Sequence, residues 1–176
     1  GGWPGSNPKD KEFFERAREI QFRHARLTAF GATRMARNKV EDDASVNALI
    51  AADTPVVCIF GKTWKLHVER ALGITEEENL ELIADTVRYL KAHGKEVIYD
   101  AEHFFDGYKA DRDFAFRTLA AAKQAGADTL TLCDTNGGTM TGELARICED
   151  VRGNFEGILG IHTHNDCGVG VANALA

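Results

Sequence analysis

ILGIHTHND, residues 158–166, is the stretch that decides the fold. An apolar run, Ile158 to Ile161, stops at His162, Thr163, His164, Asn165 and Asp166. Successive strand side chains point to opposite faces, so His162 and His164 share a face with Cα atoms roughly 6.5–7 Å apart. Ile161 and Thr163 then face the other way. The same event, a short apolar strand ending in polar residues, recurs upstream. PVVCIFG (55–61) runs into Lys62, Thr63 and Trp64; Glu96 to Asp100 runs into DAEHFFD (100–106); Thr129 to Cys133 runs into CDTNGG (133–138).

Helical patterns separate these strands. Apolar residues fall at helical spacing over Lys9–His24, with Ser6 or Asn7 as a cap before Pro8. Helices are also predicted over Glu41–Ala52, Glu76–His93 with Gly94 as its stop, Asp111–Ala125 with Gly126 as its stop, and Thr141–Val151. Arg26–Gly31 reads as a further short strand, and Val171–Ala176 as the start of a helix. Strands alternating with amphipathic helices make an α/β fold of parallel βα units. A beat of roughly thirty residues is what each unit of a (β/α)8 TIM barrel requires. A doubly wound open sheet fits the alternation too, but it gathers ligand residues at one switch point. Polar clusters at several strand ends favour the barrel, whose active sites form there. The chain opens on Gly1 without a methionine and stops inside an apolar run, so the expectation is a partial barrel of about five full units within something larger.

Composition narrows the partners. With 176 residues, 44% hydrophobic, the chain can build one ordinary core, and a net charge of −6 argues against nucleic acid or an anionic membrane as main partner. No apolar run approaches the ~20 residues of a membrane span. Cys58, Cys133, Cys148 and Cys167 form no CxxC pair and read as reduced thiols of a cytoplasmic protein.

Chemistry is carried by the strand ends. His162 and His164 on one face suit a divalent cation, against the plainer reading of hydrogen-bonded core histidines. Glu102, just past its strand, suits proton handling or substrate orientation, with Asp100, His103 and Asp106 as rivals. Thr135 and Asn136, at a glycine turn, suit a carboxylate, or serve only to cap and turn. GlyLysThr at 61–63 invites a phosphate loop, but that loop needs a glycine where Val56 stands, so a nucleotide site is rejected. Lys62, Thr63 and His67 remain as pocket or surface residues. The opening GGWPGSNP is a glycine-rich loop that decides nothing alone.

In order, GGWPGSNPKD, FGKTWKLHV, YDAEHFFDGY, LCDTNGG and HTHNDCGVGVANALA resemble the citramalate, isopropylmalate and homocitrate synthase group. That group belongs to the metallolyase TIM barrels that include hydroxymethylglutaryl-CoA lyase. The opening and AEHFFDGY look most like its citramalate synthase branch. The resemblance covers essentially the whole chain. It implies an acyltransferase of branched-chain amino acid biosynthesis, running a Claisen condensation of acetyl-CoA with a 2-oxo acid on a divalent metal (zinc, manganese or magnesium). In the citramalate branch the oxo acid is pyruvate, and thioester hydrolysis gives (R)-citramalate and free CoA. By resemblance, His162 and His164 match the metal histidines, Glu102 the strand-end glutamate and Thr135 the carboxylate-binding threonine. His67 matches a pocket histidine of the fourth strand, and Asn136 lies beside Thr135. The resemblance further implies a homodimer when full length, and a domain running from the end of strand 2 to the start of helix 7. Nothing here matches the group's first-strand DTTLRDG-like motif, its eighth strand, or the downstream subdomain thought to hold the general base. Residues 1–176 alone are therefore expected to be inactive. A 2-isopropylmalate or homocitrate synthase, a hydroxy-acyl-CoA lyase on the same histidines, and a non-catalytic ligand-binding barrel segment remain the alternatives.

Overall fold

The computed structural model describes residues 2–176. Five strands lie side by side in sequence order, β1 (Thr28–Ala32), β2 (Val56–Lys62), β3 (Glu96–Glu102), β4 (Thr129–Asp134) and β5 (Ile158–Thr163). All four pairings are parallel. A doubly wound sheet would bring the chain back across its first strand and break that order. The sequential order is that of a (β/α)8 barrel arc, as the recurring strand ends predict.

The helices are α1 (Pro8–Ala17), α2 (Ala44–Ala51), α3 (Lys65–His67, continuing as a π turn Val68–Leu72), α4 (Glu76–Ala92), α5 (Phe104–Ala110), α6 (Arg112–Gln124), α7 (Thr141–Asn154) and α8 (Gly170–Leu175). Thr75 and Glu78 cap α4 reciprocally, each side chain bonding the other's backbone N–H. Gly94 and Gly126 follow α4 and α6 with φ of 72° and 104°, the left-handed turn expected of them.

Strand alternation sorts the two faces. Ala29, Val57, Ile59, Val97, Tyr99, Ala101, Leu130 and Leu132 are buried together with Leu49, Ile83, Val87, Leu90, Leu119 and Leu144 of the helices. The opposite face carries Phe30, Phe60, Lys62, Asp100, Glu102, Cys133 and His162, and is the concave side of the arc. Fully burying a leucine or isoleucine contributes roughly 1.5–3 kcal/mol, so the helix-covered layer holds the arc together.

Two predicted helix boundaries shift, and one helix is new. The helix expected to reach His24 ends at Ala17. Phe14 and Ala17 are buried, whereas Ile20 and Phe22, which continue the spacing, are 57% and 46% exposed with no surface to pack on. The helix expected from Glu41 restarts at Ala44, because the Asp43 carboxylate accepts from Ser45 and Val46 N–H and caps a new first turn. Phe104–Ala110, lying between the predicted strand Glu96–Asp100 and the predicted helix Asp111–Ala125, forms the additional helix α5.

Candidate functional site

Register sets the height of each rim residue. Lys62 pairs with Glu102, and Cys133 with His162. Because Ala101 pairs with Leu132, Glu102 stands level with Cys133. One layer of side chains therefore crosses four strands at their C-terminal ends: Lys62, Glu102, Cys133 and His162. Asp100 and Thr131 form the layer beneath.

His162 and His164 converge, their ring centroids 5.0 Å apart. His164 N–H donates to the Asp134 carbonyl at 3.2 Å, which ties the end of β5 to the end of β4. The His162 ring also leans across β4, placing Nδ1 3.2 Å from Asp100 Oδ2 and 3.9 Å from Cys133 Sγ. Asp100 is 7% exposed and the His162 side chain 48%. Burial pushes the Cys133 thiol well up, with the Asp100 charge adding to it, so Cys133 carries its proton at neutral pH. Donor atoms of Asp100, Cys133 and His162 lie within 4.8 Å of one another, and the His164 ring stands beside that of His162.

Glu102 ends β3 and pairs with Lys62 Nζ, while its carbonyl accepts from the Thr63 hydroxyl. The next residue, His103, sits in the left-handed region at φ 56°. That conformation costs on the order of 1 kcal/mol in a non-glycine residue and turns β3 sharply into α5. It also aims His103 N–H at Thr135 Oγ1, 2.9 Å away, so the Thr135 hydroxyl keeps its own proton free to donate. The His103 ring lies 3.3 Å from Asp106 Oδ2, which accepts in turn from Asn136 Nδ2 at 2.9 Å. Asn136 is therefore held by Asp106, with its carbonyl oxygen left over. Gly137 has φ 62°, and a Cβ there would meet Asp166 Oδ2 at 2.5 Å, so the Thr135–Gly138 turn rests directly on the loop after β5.

His67 is on α3, past the end of β2, rather than on the strand that the resemblance assigns to it. Asn79 Nδ2, buried, holds the Lys62 carbonyl at 2.9 Å and fixes that strand end. The His67 ring meets His103 edge-on at 4.5 Å and Trp64 at 4.8 Å. Burial, and then the neighbouring His103 and Lys62, lower its pKa, so His67 is neutral around pH 7.

The structure thus brings Glu102, Thr135, Asn136 and His67 together around His103, with His162 and His164 across the arc. Sequence reading treated His103 and Asp100 only as rivals of Glu102. The period-two spacing of Asp100 and Glu102 was a signal for their shared inner face. Arg34, Arg37 and Lys62 border a separate cavity of about 530 Å³ against Phe60, Leu72 and Leu82, on the rim of β1 and β2.

A parallel barrel arc whose polar side chains gather at the carboxyl ends of consecutive strands defines a (β/α)8-barrel enzyme-type site. A family model described as HMGL-like matches residues 2–176, and the chain belongs to that family, which is divalent-metal dependent. It is 53% identical over 176 residues, 99% of its length, to the (R)-citramalate synthase of Aquifex aeolicus. It is 55% identical over 175 residues to that of Geobacter sulfurreducens. The chain spans 33% of the length of each of these relatives. Among solved structures, the HMG-CoA lyase of Bacillus subtilis superposes with a TM-score of 0.77 at 16% identity, over 97% of this chain and 57% of that one. At that identity the likeness concerns the fold.

Proposed function

We propose that the polypeptide to which this chain belongs is an (R)-citramalate synthase, an acyltransferase that joins acetyl-CoA to pyruvate and releases CoA. The observation that carries this is identity above 50% to two such synthases along 99% of the chain. In the reaction a methyl proton leaves acetyl-CoA, the carbanion attacks the ketone carbon of pyruvate, and water then cleaves the thioester to citramalate and CoA.

His162 and His164 are the residues that would hold a divalent cation, which supplies Lewis-acid polarisation of the ketone and charge stabilisation. The remaining roles belong to the chain. Thr135 donates its free hydroxyl proton to the pyruvate carboxylate, being fixed by His103 N–H. Glu102, oriented by Lys62 and by its layer position opposite His162, accepts a hydrogen bond from substrate or relays a proton. Neutral His67 offers a second group for proton transfer on the same rim. Asn136 lends its carbonyl oxygen beside Thr135. The substrates are small molecules, and the enzyme works as a cytoplasmic homodimer. No helix of the described residues is long and apolar enough to cross a membrane.

The test is thiol release by the full-length protein supplied with acetyl-CoA, pyruvate and a divalent cation. CoA appearing only when pyruvate is present supports the synthase. Cleavage of a hydroxy-acyl-CoA to acetyl-CoA and a keto acid, with no thiol release from acetyl-CoA plus pyruvate, selects the lyase reading instead.

A further inference from the structure

We propose that Asp100 is a positioning residue for His162: its carboxylate accepts a hydrogen bond from Nδ1–H and so leaves the Nε2 lone pair facing the rim. This rests on the metal-binding role given to His162 under the proposed function. An imidazole has two distinct nitrogens, and which one is free to ligate depends on the partner of the other. Here Nδ1 lies 3.2 Å from Asp100 Oδ2, a hydrogen-bonding distance to an acceptor. Asp100 is built into the floor of the arc at 7% exposure, 62 residues earlier in sequence and two strands away. The contact therefore bridges β4 and exists only because the sheet is concave. Gly160 keeps the space under His162 clear, since a Cβ there would come within 2.7 Å of Thr131 Oγ1. A carboxylate on the far nitrogen of a ligating histidine fixes its tautomer and raises its basicity, and losing such a partner costs roughly 10–100-fold in metal affinity. Among the described residues His164 has no comparable side-chain partner, so orientation of the pair is set through His162 and Asp100.

The competing arrangement makes Asp100 and Cys133 ligands themselves. The two are separated by titrating Co²⁺ into the full-length protein, calorimetrically and by absorption, for wild type, D100A, D100N, C133S and H162A. The expected result is that H162A abolishes binding and D100A raises Kd roughly 10–100-fold. D100N, which keeps an acceptor oxygen, falls between wild type and D100A, and C133S binds as wild type does with no thiolate charge-transfer band in any form. In the same protein without metal, ¹⁵N NMR of labelled histidine shows His162 protonated on Nδ1, and D100N shifts it toward a tautomer mixture. Equal affinity in wild type and D100A overturns the inference. So does an Nε2-protonated His162 in wild type, or a charge-transfer band lost in C133S. Should D100A fail to fold, the near-isosteric D100N and the wild-type tautomer decide. Should wild type bind no divalent cation, the metal reading falls while the tautomer still judges Asp100.

Discussion

Gly107 is where α5 touches the end of β2, and replacing it with alanine separates two halves of the rim. A Cβ at Gly107 would lie 2.3 Å from the Thr63 carbonyl oxygen, 2.9 Å from its carbon and 3.2 Å from Trp64 Cα. All three are backbone atoms, so no side chain can swing away and α5 itself must move. Overpacking of a well-filled site costs typically 1–3 kcal/mol, and a clash with backbone belongs at the top of that range, about 3 kcal/mol. Alanine recovers about 1 kcal/mol of helix propensity. The net loss is about 2 kcal/mol, a fall in Tm of roughly 4–8 °C for a domain of this size. Because α5 carries Asp106 and follows directly on His103, kcat/KM of the full-length protein should fall beyond what the loss of folded protein explains. Thermal melts by circular dichroism, with G153A as control, test this. Gly153 lies in α7 with open space around its missing Cβ, so its alanine variant gains about 0.5–1 kcal/mol. If G107A melts at or above wild type while G153A rises as expected, the close approach of α5 to β2 is wrong.

Three further outcomes are expected. Burial opposes the Asp43 charge, but donors from Met35, Val46, Asn38 and Ser45 outweigh it and bring its pKa below the ordinary value. Its stabilisation is thus present above the ordinary carboxylate pKa of about 3.9 and lost as pH falls through the folded value; in urea melts D43A loses about 2 kcal/mol at pH 7, and the gap to wild type narrows below pH 4. T135V removes both the acceptor for His103 N–H and the proton offered to the oxo acid, so initial rates should show KM for pyruvate rising about tenfold, equivalent to about 1.4 kcal/mol, with T135S close to wild type. H164A should leave less than about a tenth of the wild-type divalent metal by emission spectrometry, since one imidazole is a weak site.

Much of this was legible because burial writes itself into sequence at strands. PVVCIFG and TLTLC are apolar because the arc covers them, and the switch to Lys62, Glu102 or His162 marks where the cover ends. Helical spacing was a weaker guide at α1, where Ile20 and Phe22 keep the period but find nothing to pack against. Helix α5 was hidden because it starts from a left-handed histidine whose side chain caps no backbone N–H. The Asp100–His162 contact depends on curvature across β4, which no local pattern records. Likewise the resemblance placed His67 on a strand, whereas Trp64 ends the extended run and α3 begins at Lys65.

The chain contains two tryptophans, and only Trp64 stands in the site, its ring 4.8 Å from His67 and 5.9 Å from His103. Trp3 instead packs edge-on against Phe30 and Phe60. Protonated imidazole quenches indole emission far more than the neutral ring does. Within residues 1–176, exchanging Trp3 for phenylalanine leaves Trp64 as an optical gauge of the rim. Its brightness then follows the charge state of the neighbouring histidines without any attached dye.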